Sequence, residues 1–182
     1  MALEKLLTVD QAADGLERRH RNGRHSLDRV LRAIALLKQP RYRHLFAGIL
    51  CTIDLRNDPD TVYTALAELA PPRIDFLLPH ATWDEPPPRH GGSATAYGDW
   101  LLRIHDRWTA EGRPMGVRVL DSVLRTLRGA SSLTESLGLA PVELAVIETD
   151  GALELADSLK TAYDGAPATG MSVQTNSLDE MA

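Results

Sequence analysis

The sequence predicts an α/β fold in which short apolar strands alternate with amphipathic helices. Three features carry that reading. Two almost uninterrupted apolar runs, Leu45–Ile53 (LFAGILCTI) and Arg73–Leu78 (RIDFLL), have the length and composition of strands buried on both faces. The segment between them opens on Asp58-Pro59, a capping carboxylate followed by the residue favoured at the first helical position. Up to Leu78 the order is strand, helix, strand, helix, strand with short connections, which argues for right-handed crossovers and a parallel sheet.

Taken in order, Leu6–Val9 is a short β-prone run ending at Asp10. Asp14–His25 is polar and basic, with a turn at Asn22-Gly23. Ser26 is a suitable N-cap for a helix to about Lys38, whose Leu27, Val30, Leu31, Ile34 and Leu37 recur at helical spacing. After the first apolar strand, Val62, Leu66 and Leu69 form the inward stripe of the second helix, which stops at Pro71-Pro72. The second strand leads into a Pro- and Gly-rich loop, residues 79–93, that can be neither helix nor central strand. Ala96–Glu111 follows as a strong helix with Tyr97, Trp100, Leu101, Ile104 and Trp108 on one face and Gly112 behind it. A shorter helix spans about Asp121–Leu127, Glu143–Glu148 reads as a strand, and Asp150-Gly151 is a two-residue hairpin signal. Ser177 caps the first turn of a terminal helix.

At 182 residues the chain can bury a sizeable core for one domain, or one and a fragment. A net charge of −5 with 25% charged residues gives no basis for nucleic acid or an anionic membrane as partner. No apolar run approaches the roughly 20 residues that span a bilayer. The start of the chain lacks a basic segment leading into an apolar one, so the expected compartment is the cytoplasm. The single cysteine, Cys51, excludes an internal disulfide and a Cys-rich metal centre, and its apolar setting favours an inert core thiol over a nucleophile. Six histidines show neither HxxxH nor HExxH spacing, so no metal site is expected.

Ligands of parallel α/β sheets sit at the carboxyl ends of the strands. Those ends carry Thr8 and Asp10, then Thr52, Asp54 and Asn57, then His80, Thr82 and Trp83. His80, Thr82 and Trp83 combine a titratable imidazole, a hydroxyl and an aromatic wall in one loop. A structural use, with His80 capping carbonyls and Trp83 under the Pro-rich loop, competes with that reading. The basic run Arg18-Arg19-His20-Arg21 could grip phosphate or an acidic peptide, against the commoner role of a solvated loop. A hydrolase built on His80 and Asp54 is a third, weaker alternative.

Four stretches, Arg41–Pro59, Pro71–Arg89, Tyr97–Trp108 and Glu148–Val173 (ETDGALELADSLKTAYDGAPATGMSV), together resemble the cyclophane-forming radical SAM/SPASM peptide maturases (FxsB-like). They occur in that family's order and cover nearly the whole chain. The resemblance implies the second half of a partial, TIM-like (β/α) barrel over residues 1–112, followed by a connection toward a SPASM domain, with a hairpin and helical segments, over 113–182. Leu6–Val9 would be the fourth strand, Ala47–Ile53 the fifth and Arg73–Leu78 the sixth.

It also implies S-adenosylmethionine and a [4Fe–4S] cluster as cofactors, and a ribosomal precursor peptide as substrate for carbon–carbon crosslinking. Thr8, Asp10, Arg18 and Asn57 correspond to cofactor-binding positions, and His80, Thr82 and Trp83 to the substrate pocket. TVDQ stands where the family has a VSLDG-like strand end, and DGLER where it has an HDxxR-like segment. No CxxxCxxC loop is present, so the chain is expected to be a fragment or degenerate member, inactive alone. Half a barrel would leave strand edges and interior exposed, which predicts self-association or a complementing radical SAM chain. The alternative is a cluster-free interaction module that binds a peptide or a partner half-barrel.

Overall fold

A computed structural model describes residues 27–82, 85–88, 92–134, 137–138 and 144–181. Expectations for Leu6–Val9 and for the N-cap at Ser26 lie outside these residues. The chain divides into two units, Met1–Leu78 with Arg89–Arg118, and Pro79–Pro88 with Val119–Ala182.

The first unit holds helix α1 (Leu27–Leu37), strand β1 (Ile49–Thr52), helix α2 (Pro59–Glu68), strand β2 (Arg73–Leu77), helix α3 (Ala96–Ala110) and strand β3 (Gly116–Val117). The three strands form a parallel sheet in the order β1-β2-β3, with Ile49 opposite Ile74, Cys51 opposite Phe76, and Ile74 opposite Val117. Sequence order and spatial order therefore coincide, and each neighbouring pair of strands is joined through a helix. β3 is a strand that the sequence reading missed, because two residues give no periodicity to read.

α2 starts where expected: Asp58 accepts from the Thr61 amide at 2.8 Å and from its hydroxyl at 2.9 Å, with Pro59 beginning the helix. Its buried side chains are Val62, Tyr63 and Ala65, while Leu66 and Leu69 stay half-buried. The face is rotated from the expected stripe because α2 packs against α3. There the Arg107 guanidinium lies 5.0 Å from the Tyr63 ring centre and donates to the Asp60 carbonyl and the Thr64 hydroxyl, each at 2.6 Å. α3 buries Trp100, Ile104 and Trp108, three of its five expected residues. Trp108 donates to the Met115 carbonyl at 2.8 Å, which ties the helix to the approach of β3. In α1 only Ile34 is buried, and Val30 remains 48% exposed.

The expectation of strands buried on both faces holds at the middle of β2, where Ile74, Asp75 and Phe76 are all buried, and is corrected for β1. Only Ile49–Thr52 of the first apolar run is strand, and Arg43–Leu45 forms a 3₁₀ turn before it. Along β1 burial alternates, with Ile49 and Cys51 half-buried and Leu50 66% exposed. Apolar composition reports what could be buried; among the described residues helices cover one side only. Gly48 marks the entry to β1. Its φ is +153°, and a Cβ there would meet the Arg73 carbonyl oxygen at 2.6 Å, so the strands close only over a glycine.

The second unit contains α4 (Arg118–Leu127, beginning at the boundary residue) and an antiparallel sheet of β4 (Val146–Ile147), β5 (Ala152–Glu154) and β6 (Ala168–Ser172), followed by α5 (Leu178–Met181). The hairpin at Asp150-Gly151 exists, but its loop has three residues rather than two. Gly151 donates to the Glu148 carbonyl at 2.9 Å, and Glu148 to that of Ala152 at 2.9 Å. Only Gly151, at φ +89°, is left-handed, as in a type I turn closed by a bulge. α5 opens on a reciprocal cap, with Ser177 Oγ accepting from the Glu180 amide at 3.3 Å and Glu180 Oε2 accepting from the Ser177 amide at 2.9 Å.

Candidate functional site

The turn after β1 is the better defined of the predicted strand ends. Asp54 accepts from its own turn, the Arg56 amide at 2.9 Å, and takes the Arg56 guanidinium through Nε at 3.0 and 2.9 Å and Nη2 at 2.5 Å. Asn57 donates its amide to the Asp54 carbonyl at 3.0 Å, and its own carbonyl accepts the Trp100 indole N–H at 3.0 Å. Burial, with the Asp54 charge second, holds the Tyr97 phenol above its ordinary value. Asp54, Arg56, Asn57, Tyr97 and Trp100 thus meet where β1 hands over to α2. Both carboxylate oxygens of Asp54 are engaged by Arg56.

His80 and Thr82 belong to the other unit. His80 is exposed, and Thr82 closes a turn: its amide donates to the Glu85 carbonyl at 2.9 Å, and its hydroxyl accepts from the Glu85 amide at 3.0 Å. Trp83, like Thr8, Asp10 and Arg18, lies outside the described residues. The predicted set therefore divides, with Asn57 alone placed among the four cofactor positions.

The described residues do not fit an iron–sulfur cluster. Three thiolates are required, and the sequence has one cysteine. Cys51 shares the helix-covered face of the sheet with its register partner Phe76, and burial pushes its thiol up to about 11. Among the described residues no group of three or more His, Cys, Asp or Glu could hold a metal ion. Asn57 by itself makes no nucleotide site, and no step is assigned to S-adenosylmethionine.

The sequence reading missed the other face of the sheet. Leu50 stands opposite Asp75 in register, and Arg118, the residue after β3, reaches the same carboxylate. Asp75 is buried at 5% exposure, and Arg118 binds it through Nε at 2.7 Å and Nη2 at 2.6 Å, both on Oδ2. A carboxylate inside an apolar run was the available signal, since buried charge is retained only with a partner or a use. The partner was hidden because it lies 43 residues away.

Neither a family model nor a curated protein matches this sequence. Among solved structures, one described as native anSMEcpe with bound AdoMet and Kp18Cys peptide superposes with a TM-score of 0.62 at 20% identity. The match covers 86% of this chain and 44% of that one, so this chain spans less than half the length of its structural neighbour. At that identity the likeness is one of fold. No helix among the described residues is long and apolar enough to cross a membrane.

Proposed function

We propose that this chain is the sheet-bearing half of a radical S-adenosylmethionine peptide-modifying enzyme, related to those that form carbon–carbon crosslinks in ribosomal precursor peptides. The observation that carries the reading is the superposition of 86% of this chain, an α/β chain with a sequential parallel sheet, on a structure described as holding AdoMet and a peptide. The family-like stretches of the sequence run through the same elements in the same order. On this reading β1 and β2 take the fifth and sixth barrel places, with β3 next in line, and residues 113–182 form the connection toward a SPASM domain. S-adenosylmethionine, when bound to a reduced cluster, supplies the carbon radical of this chemistry. The single cysteine means that the cluster thiolates are furnished by residues outside this sequence. This chain's own part is to bind and orient the peptide.

Anaerobic iron–sulfur reconstitution of the isolated chain tests this division of labour. The expected result is no stoichiometric thiolate–iron absorbance and no cleavage of S-adenosylmethionine. A full cluster on the chain would overturn it.

A second reading, a cluster-free module that binds a peptide or a partner half-barrel, is favoured by the open face at Leu50. Calorimetric titration of the chain with a cluster-bearing radical SAM half-barrel lacking these strands separates the two. Saturable binding that restores cleavage supports the enzyme half, binding without cleavage supports the module, and no binding removes the partner half-barrel from both.

A further inference from the structure

We propose that residues 27–45 of one copy dock on residues 144–181 of a second, so that the chain associates with itself through surfaces of opposite charge. The proposal stands apart from the radical chemistry above.

Charge is segregated along this sequence. Residues 18–44 hold eight arginines and Lys38 against Asp28 alone, a net of +8. Residues 130–182 hold nine aspartates and glutamates against Lys160 alone, a net of −8. Like charges gathered in one stretch repel one another, and each stretch lowers its energy by meeting the opposite sign.

The structure leaves both sets facing solvent. In the first, Arg29, Arg32, Arg41 and Arg43 are exposed, and none of the ion pairs among the described residues draws on them. Lys38 donates to the Leu69 carbonyl at 3.1 Å, which holds the segment to the end of α2. In the second, Lys160 is shared between Glu148 at 2.6 Å and Glu154 at 3.2 Å. Asp164 and Asp179, both exposed, enter no ion pair with a described residue. Apolar side chains are exposed in the same stretches, Val30, Leu36 and Leu45 in the basic one and Tyr163, Val173 and Leu178 in the acidic one. Apolar contact surrounded by complementary charge is the composition of a protein interface.

The charge balance selects the occupant. The chain carries −5 overall, so +8 in the basic stretch leaves −13 on the remainder, which repels a nucleic acid or an anionic membrane. A second copy turns the same acidic surface into the attraction.

Sedimentation velocity of the full chain tests this. Wild type is expected to associate at about 50 mM NaCl and to lose about tenfold in affinity at about 500 mM, where exposed charges are screened. Two variants reverse charge at exposed positions: Arg29→Glu with Arg32→Glu and Arg43→Glu, and Asp164→Lys with Asp179→Lys. Each alone should associate about tenfold more weakly than wild type. An equimolar mixture of the two should recover wild-type association, because each reversed surface then meets its new complement. Should a variant fail to fold, the salt response decides alone, and association that salt leaves unchanged or strengthens would overturn the proposal. Wild type that stays monomeric at low salt, or a mixture no stronger than its components, would do the same. Polyglutamate binding to a monomer through Arg29, Arg32 and Arg43 would replace the second copy with an acidic peptide.

Discussion

The two faces of the parallel sheet are built from the same strands and behave as different materials. One carries Ile74, Phe76 and Val117, all buried, with Trp100 meeting Phe76 edge-on at 5.2 Å between ring centres. The other carries Leu50, Thr52 and Leu77, all exposed, around the buried Asp75 and its half-buried partner Arg118. Strand alternation assigns each residue to a face; it does not say which face will be covered. Coverage comes from α3, whose Trp100, Ile104 and Trp108 are spaced for one side only.

The largest effect that would break this comparison is in the core. Trp108→Ala should cost about 3–5 kcal/mol by cavity formation and loss of the indole bond to Met115, whereas Leu50→Ala on the open face should stay within about 0.5 kcal/mol. Urea unfolding of both variants measures the contrast. Equal losses would mean that the two faces are not distinct.

Alkaline pH sharpens it next. The Cys51 thiol is held protonated on the covered face, its pKa raised from 9.0 to about 11. The folded state therefore binds the proton more tightly than the unfolded one, and the associated stability is complete below pH 9 and lost as pH climbs toward 11. The urea midpoint of wild type should fall more steeply over that window than that of Cys51→Ala. Parallel slopes would place the thiol in solvent and off the covered face.

The smallest effect sits in the connection between α2 and β2 and touches neither face. Ala70 adopts φ +45°, a left-handed conformation that costs an L-residue about 1–2 kcal/mol. Ala70→Gly should relieve part of that, raising stability by about 0.5–1 kcal/mol net of the entropy glycine loses on folding. A lowered Tm would show that the backbone there is not strained.

Much of the local structure was written in local chemistry. Asp58-Pro59, the Trp100–Ile104–Trp108 stripe and the Ser177–Glu180 box each act within one or two turns, so neighbouring residues suffice to reveal them. The turn at Gly151 was legible for the same reason, although its length was not, because a three-residue loop and a two-residue loop draw on the same residue types. The candidate site was less legible. Asn57 follows from its place after an apolar strand, but its carbonyl is bound by Trp100, 43 residues on, and Asp75 is matched by Arg118 across the same separation.

By itself the sequence determined an α/β chain of alternating strands and helices, most of its helix boundaries though not the start of α4, which lies at Arg118 rather than Asp121, and a cysteine count too low for an iron–sulfur centre. The tertiary structure alone decided that β3 joins the parallel sheet, that among the described residues helices pack on one face, and that Asp75 and Arg118 meet on the other. The physical reason is range. Caps, turns and periodicity are settled among near neighbours, while register, coverage and the pairing of distant charges exist only once strands far apart in the chain lie side by side.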